Sequence, residues 1–125
     1  MAADWRTLCR GREFDVVNSL VTVTMGERKH RLSVTEERDV ITLRATVVQA
    51  RVVRQLEDSD LALSLWLRNR ATPLVGFRID EKERLVAEAW VPKVGLTAPE
   101  FQTYLRAVAL ESDRLEFQLT GEDIE

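Results

Sequence analysis

Apolar and polar residues alternate along most of this chain, and short charged turns interrupt the alternation. Alternating runs lie at 19–25, 30–35 and 41–48, and two more lie at 75–79 and 85–92. A period of two predicts β-strands, because successive side chains of a strand point to opposite faces. The turns between neighbouring runs are short, which favours antiparallel pairing. We expect the third strand to continue to about Val53.

Three further segments have helical character. Residues 4–10 form a short candidate helix, and a middle helix is expected from about Asp58 to Asn69, with Asp58 or Ser59 accepting a backbone hydrogen bond at its start. The last helix begins at the capping box Thr97-Ala98-Pro99-Glu100, and Gly121 can end it. The order α-β-β-β-α-β-β-α predicts one α+β domain over residues 1–125. Its core would be a five-stranded antiparallel sheet with helices packed mainly on one face.

Composition narrows the range of functions. The 125 residues include 45% hydrophobic and 31% charged residues, as in globular domains, and the net charge is −3. Without a basic excess, nucleic-acid binding is not expected. The single cysteine, Cys9, cannot form an internal disulfide, and no signal peptide or membrane span is evident. We therefore expect a cytoplasmic protein.

Residues capable of catalysis are few and scattered. Cys9 and His30 are the only residues of their types, so they offer at most one nucleophile–base pair and no metal-ligand spacing. The carboxylate pairs, at 36–37, 80–81 and 122–123, lie in turns or at the chain end, where solvation is the usual state. The glycines form no phosphate-binding loop. We predict no enzyme activity, no cofactor, no metal and no small-molecule ligand.

The middle helix is apolar on more than one side. We expect one broad side, made of Ala62, Leu63, Trp66 and Leu67, to cover the sheet. Leu61 and Leu65 would then lie on a second, exposed side near Arg68, and such an apolar surface suggests a protein interface. The alternative is that another helix of the same chain covers Leu61 and Leu65.

The far face of the sheet provides a second candidate interface. The apolar residues expected there are Leu20, Val48, Val86 and Trp90, and their polar neighbours would be Thr22, Arg44, Arg78 and Glu88. Tryptophan with neighbouring arginines is typical of residues that dominate binding energy at interfaces. The alternatives are ordinary scatter of apolar residues on a surface, or coverage by a chain end. A register slip of one residue would also reverse the two faces.

The segment from about residue 56 to 120 resembles the YbjN-like family, whose fold is similar to that of type III secretion chaperones. The resemblance rests on several short stretches, namely Leu65-Trp66-Leu67-Arg68-Asn69, Phe77-Arg78-Ile79-Asp80, LVAEAWVP at 85–92, Leu96 to Phe101, Tyr104-Leu105, Val108-Ala109 and Asp113.

This resemblance implies an α+β homodimer that binds partner proteins or their unfolded segments, without a cofactor or catalysis. It also implies that the middle helix forms the dimer interface, and it transfers no functional residue. The first helix is shorter here than in secretion chaperones, so wrapping of a client around it is not implied. We predict a dimeric chaperone-like or regulatory adaptor. The alternative is a small-ligand-binding or enzymatic domain with an enclosed pocket.

Overall fold

The computed structural model describes residues 4–56 and 60–121. The chain begins with a short 3₁₀ helix, Trp5–Leu8. The remaining elements are β1 Phe14–Val17, β2 Leu20–Met25, β3 Arg28–Glu36, β4 Val40–Val48, α1 Ala50–Gln55, α2 Leu61–Ala71, β5 Gly76–Ile79, β6 Leu85–Pro92 and α3 Ala98–Thr120. The predicted helix start at Asp58 or Ser59 and the carboxylate pair at 122–123 lie outside the described residues. None of the helices in the described ranges is long and apolar enough to cross a membrane.

The strands form one antiparallel sheet of six strands in the order β1-β2-β3-β4-β6-β5. The α+β class with an antiparallel sheet is confirmed, but the prediction of five strands is wrong. The additional strand is β1, which forms a hairpin with β2 through the two-residue loop Asn18-Ser19. Asn18 has a φ of 54°, a left-handed conformation that asparagine tolerates better than most residues.

The predicted continuation of the third strand to Val53 is also wrong. The register between β4 and β6 shifts between Thr46 and Val48, and the chain then turns into α1 at Ala50. Val53 packs into the hydrophobic core from this helix. The β-branched pair Val52-Val53 favours a strand, and tertiary packing overrides that preference here.

Helix α3 covers one face of the sheet. Both hydrogen bonds of the predicted capping box are present, from Thr97 N to Glu100 Oε1 at 3.1 Å and from Glu100 N to Thr97 Oγ1 at 3.4 Å. The buried residues of α3 are Phe101, Leu105, Val108, Ala109, Ser112 and Leu115. We call the opposite face the far face. By strand alternation it carries Thr22, Arg44, Glu88 and Trp90.

Candidate partner-binding surfaces

Helix α2 presents an apolar stripe to solvent. Leu63, Trp66 and Leu67 are 54%, 56% and 50% exposed, and Arg70 lies with its guanidinium 4.9 Å from the centroid of the Trp66 ring. The four residues have the spacing i, i+3, i+4 and i+7, which places them on one side of a helix. We call this set, Leu63, Trp66, Leu67 and Arg70, the outer stripe.

The predicted orientation of the middle helix is therefore wrong. Leu61 and Leu65 are only 8% and 7% exposed and belong to the hydrophobic core of the single chain. Arg68 is also engaged within the chain, since its guanidinium lies 5.8 Å from the Phe77 ring and 4.0 Å from Glu111 Oε1. The residues that were expected to cover the sheet are the ones that face solvent.

Asn69 accounts for this orientation. Its side-chain amide donates to the carbonyl of Phe77 at 3.0 Å and accepts from the Phe77 N–H at 2.7 Å. These two bonds turn the Asn69 side of α2 towards β5. Leu65 and Leu61 lie four and eight residues before Asn69, on the same side of the helix, and so they turn inward with it.

The far face of the sheet exposes apolar side chains at two separated places. Trp90 on β6 is 71% exposed, as expected. Near the other end of the sheet Leu20 is exposed beside Val17, its cross-strand partner on β1. Val48 and Val86 were expected to be exposed as well, but their exposed fractions are only 5% and 0%. Val48 belongs to the hydrophobic core. Val86 lies in an inner strand between Thr46 on β4 and Arg78 on β5, and neighbours on both sides shield it.

A buried carboxylate organises the charges beside Trp90. Glu88 is bonded to Arg44, and it accepts from Arg78 Nε at 2.7 Å and from Arg78 Nη2 at 3.1 Å. Burial favours the neutral acid, but the hydrogen bonds from Arg78 and Arg44 outweigh it and hold the pKa of Glu88 below its usual range. The two guanidinium groups are consequently fixed in place on an otherwise open face.

Two clefts flank Trp90. One, of about 340 Å³, runs from Trp90 to Asn69 near the end of α2 and to Leu74 in the loop that follows. The other, of about 330 Å³, runs from Trp90 to Thr42 and Arg44. Both are lined by Arg78 and Glu88. Trp90 therefore stands between two open clefts that share Arg78 and Glu88.

The two edge strands, β1 and β5, differ in whether their outward-pointing N–H and C=O groups have hydrogen-bond partners. Thr24 N donates to Glu13 O at 2.8 Å. This bond shows which residues of β1 point their N–H and C=O groups towards β2 and which point them outward, because the two kinds alternate along an antiparallel ladder. In this register the N–H and C=O groups of Val16 point away from β2. Within the described ranges these two groups of Val16 have no hydrogen-bond partner, so β1 is an open edge. At the other edge, the outward groups of Phe77 on β5 are occupied by Asn69.

The residues considered for catalysis are not arranged as a site. Cys9 Sγ donates to the Trp5 carbonyl at 3.7 Å, and burial raises the pKa of Cys9 to about 11, so the unreactive thiol form prevails at neutral pH. His30 lies 4.0 Å from Asp113 Oδ1, and burial lowers its pKa although Asp113 acts in the opposite direction. Asp80 binds Arg84 within its own turn. Among the described residues, no cluster of three His, Cys, Asp or Glu side chains is suited to a metal ion.

Sequence reasoning missed two contributors to these surfaces. One is Asn69. The sequence feature that could have indicated it is an asparagine near the end of an apolar helix, four residues after Leu65 and therefore on the same side of the helix. The other is Val17 with the open edge of β1, whose signal is the pair Asn18-Ser19 between two short apolar runs.

No protein-family model matches the chain, and no curated protein matches it. Solved structures do match. A chain of the ExsC–ExsE complex aligns with a TM-score of 0.58 at 20% identity, covering 80% of this chain and 75% of that chain. The type III secretion complex ExoU–SpcU of Pseudomonas aeruginosa gives 0.56 at 13% identity, covering 85% and 87%.

A third match is the Yersinia pestis type III secretion chaperone SycH in complex with a fragment of YscM2. The TM-score is 0.53 at 10% identity, and the alignment covers 82% of this chain and 85% of that chain. The TM-scores establish a shared fold, and at identities this low the likeness extends to the fold alone. The chain therefore shares its fold with chains of these complexes, which confirms the type III secretion chaperone-like fold that the family resemblance implied, while the YbjN-like assignment stays a prediction.

Proposed function

We propose that this protein is a non-catalytic, protein-binding module that acts as a dimeric chaperone-like or regulatory adaptor. The observation that carries the proposal is the outer stripe of α2. Three large apolar side chains stand about half exposed on one side of a short helix, in a fold shared with chains from chaperone–effector complexes. An exposed apolar surface of this kind is typical of a protein interface.

The partner that we propose for the outer stripe is a second copy of the chain. Under two-fold symmetry the outer stripe of one copy would pack against the outer stripe of the other, so both copies of each apolar residue would be buried in one interface. Full burial of one leucine contributes about 1.5–3 kcal/mol, and tryptophan and arginine are enriched among the residues that dominate interfaces. Trp66 and Arg70, already stacked in the monomer, lose little conformational freedom on association.

The client site that we propose lies at the opposite end of the sheet. Strand order places β1 five strand spacings from β5, or roughly 24 Å. An extended segment of a client could pair with the open groups of Val16 and place side chains against Val17 and Leu20. Dimerisation through α2 would leave this end accessible in both copies.

Small-ligand binding is a second candidate function. The two clefts that meet at Trp90 have volumes at the lower end of the range for ligand sites, and Arg44, Arg78 and Glu88 converge there. Binding of a small molecule would change the fluorescence of Trp90. A protein-binding role predicts no such change with metabolite extracts from which macromolecules have been removed.

Sedimentation velocity tests the dimer. We expect the wild type to sediment as a dimer and Leu67→Asp as a folded monomer, because the charge would be buried without a partner. Val94→Asp is the matched control, since Val94 is a highly exposed apolar residue away from the outer stripe. A wild type that remains monomeric at every accessible concentration would reject the dimer.

Photo-crosslinking tests the client site. A photoreactive amino acid at position 20 in living cells should crosslink a second protein, whereas the same group at Lys82, in the β5–β6 turn, should not. Equal labelling from both positions would contradict a client site near β1. Because this readout does not depend on oligomeric state, it can fail or succeed independently of the dimer.

A further inference from the structure

The outward backbone groups of Phe77, in the middle of β5, are occupied by a side chain. Asp80 N donates to Arg84 O at 2.9 Å, which fixes the alternation of the β5–β6 hairpin. In that register Gly76 and Arg78 bond to β6, whereas the N–H and C=O groups of Phe77 and Ile79 point away from β6. An unoccupied group in this position would be available to any strand arriving at the edge.

Asn69 satisfies both groups of Phe77 at once. Its carboxamide presents one donor and one acceptor, and their distances to Phe77 O and N are 3.0 and 2.7 Å. A residue of a neighbouring antiparallel strand would exchange the same two bonds with Phe77. The side chain thus reproduces, in one residue, the hydrogen bonding of an added strand.

We propose that Asn69 is an edge-blocking residue that opposes strand addition to β5 by covering the outward groups of Phe77 in the middle of the strand. Natural sheets protect their edges by covering or interrupting them, and here a helix does so through a single amide. The consequence is that the β5 edge is covered at Phe77, whereas on β1 the outer groups of Val16 have no partner among the described residues. This inference concerns the sheet itself and holds whether or not the protein proves to be a chaperone.

The competing explanation is that Asn69 only anchors α2 to the sheet. Both explanations predict that its loss destabilises the chain, so stability does not separate them. They differ in what becomes of the freed groups of Phe77. Anchoring alone predicts that water solvates them, whereas edge blocking predicts that they pair with a strand from another molecule.

Hydrogen exchange of the wild type gives a test that needs no variant. We expect the amide of Phe77 to be protected in spite of its edge position, and the amide of Val16 to exchange rapidly. In Asn69→Ala the Phe77 amide should exchange about two- to tenfold faster in dilute solution, which corresponds to one net hydrogen bond. Equal exchange of Phe77 and Val16 in the wild type would overturn the proposal.

Self-association separates edge blocking from anchoring. The background is Leu67→Asp, so that pairing through the outer stripe does not contribute. Adding Asn69→Ala should produce concentration-dependent association with an intermolecular β-sheet signal in infrared spectra. Adding Ile79→Lys should suppress it, since a charged side chain on an edge strand opposes strand pairing and Ile79 lies partly exposed on β5. A folded Asn69→Ala protein that stays monomeric would contradict edge blocking, as would association that Ile79→Lys leaves unchanged.

Discussion

The Trp5 ring packs against the Phe101 ring, with their centroids 6.2 Å apart and their planes inclined at 51°. This contact joins the N-terminal 3₁₀ helix to the first turn of α3, and Trp5 is almost completely buried. Gln102 Nε2 reinforces the junction by donating to the Leu8 carbonyl at 2.9 Å. The short first helix therefore belongs to the core of the subunit, which is consistent with a client that binds elsewhere.

The contact predicts that alanine substitutions of two neighbouring residues differ greatly in their effect on the free energy of unfolding. Trp5→Ala should lower the free energy of unfolding by about 3–5 kcal/mol, because it leaves a cavity against α3. Arg6→Ala should cost less than about 1 kcal/mol, although Arg6 stacks on the outer side of the Trp5 ring, since its side chain is exposed. Urea denaturation followed by circular dichroism provides both values. Similar losses in the two variants would mean that Trp5 does not anchor the N-terminal helix.

The sequence predicts those parts of the fold that depend on local signals. The capping box at Thr97 located α3, and the alternation of apolar residues located five of the six strands. Strand β1 was missed because it is only four residues long and its turn depends on a left-handed Asn18. Local patterns of that length do not distinguish a strand from a loop.

The orientation of α2 could not be predicted from periodicity. Apolar residues surround this helix, so no single stripe identifies the inward side. The contacts that hold the inward side are tertiary, among them the two hydrogen bonds between Asn69 and the backbone of Phe77. Trp90 was placed correctly, whereas Val86, on the same strand and face, is buried because its neighbours on β4 and β5 cover it.

The orientation of α2 predicts that two leucine substitutions change the free energy of unfolding by very different amounts. Leu65→Ala should lower the free energy of unfolding by about 2–5 kcal/mol, because Leu65 lies in the core. Leu63→Ala, on the outer stripe, should change it by no more than about 0.5 kcal/mol when the protein is dilute enough to be monomeric. Urea titrations at low concentration compare the two. A larger loss for Leu63→Ala would restore the orientation that the sequence suggested.

The lowered pKa of the buried Asp80 carboxylate predicts that the folded chain loses stability in acid. Burial opposes its ionisation, but hydrogen bonds from the Arg84 side chain and from the backbone of Arg84 and Lys82 prevail and lower its pKa. In the unfolded chain the pKa of an aspartate is about 3.9. The stabilisation is thus complete above about pH 4 to 5 and disappears as the pH falls through the lower pKa of the folded state.

Asp80→Asn should remove this contribution. At pH 7 we expect the variant to be less stable than the wild type by about 1–3 kcal/mol, because Arg84 loses its charged acceptor. The difference should narrow as the pH is lowered from 5 to about 3. Urea denaturation across this interval measures it. A difference that is independent of pH would show that the charge of Asp80 does not stabilise the turn.

The three tryptophans predict distinct responses to a water-soluble quencher. Trp5 is buried, whereas Trp66 on the outer stripe and Trp90 on the far face are both more than half exposed. Variants that retain one tryptophan and carry phenylalanine at the other two positions separate their signals. Iodide should quench the Trp66-only and Trp90-only proteins strongly in dilute solution and the Trp5-only protein weakly.

At concentrations where the proposed dimer forms, Trp66 alone should become protected and Trp90 should stay accessible, because the outer stripe and the far face are separate surfaces. Protection of Trp90 in place of Trp66 would move the dimer interface from α2 to the sheet.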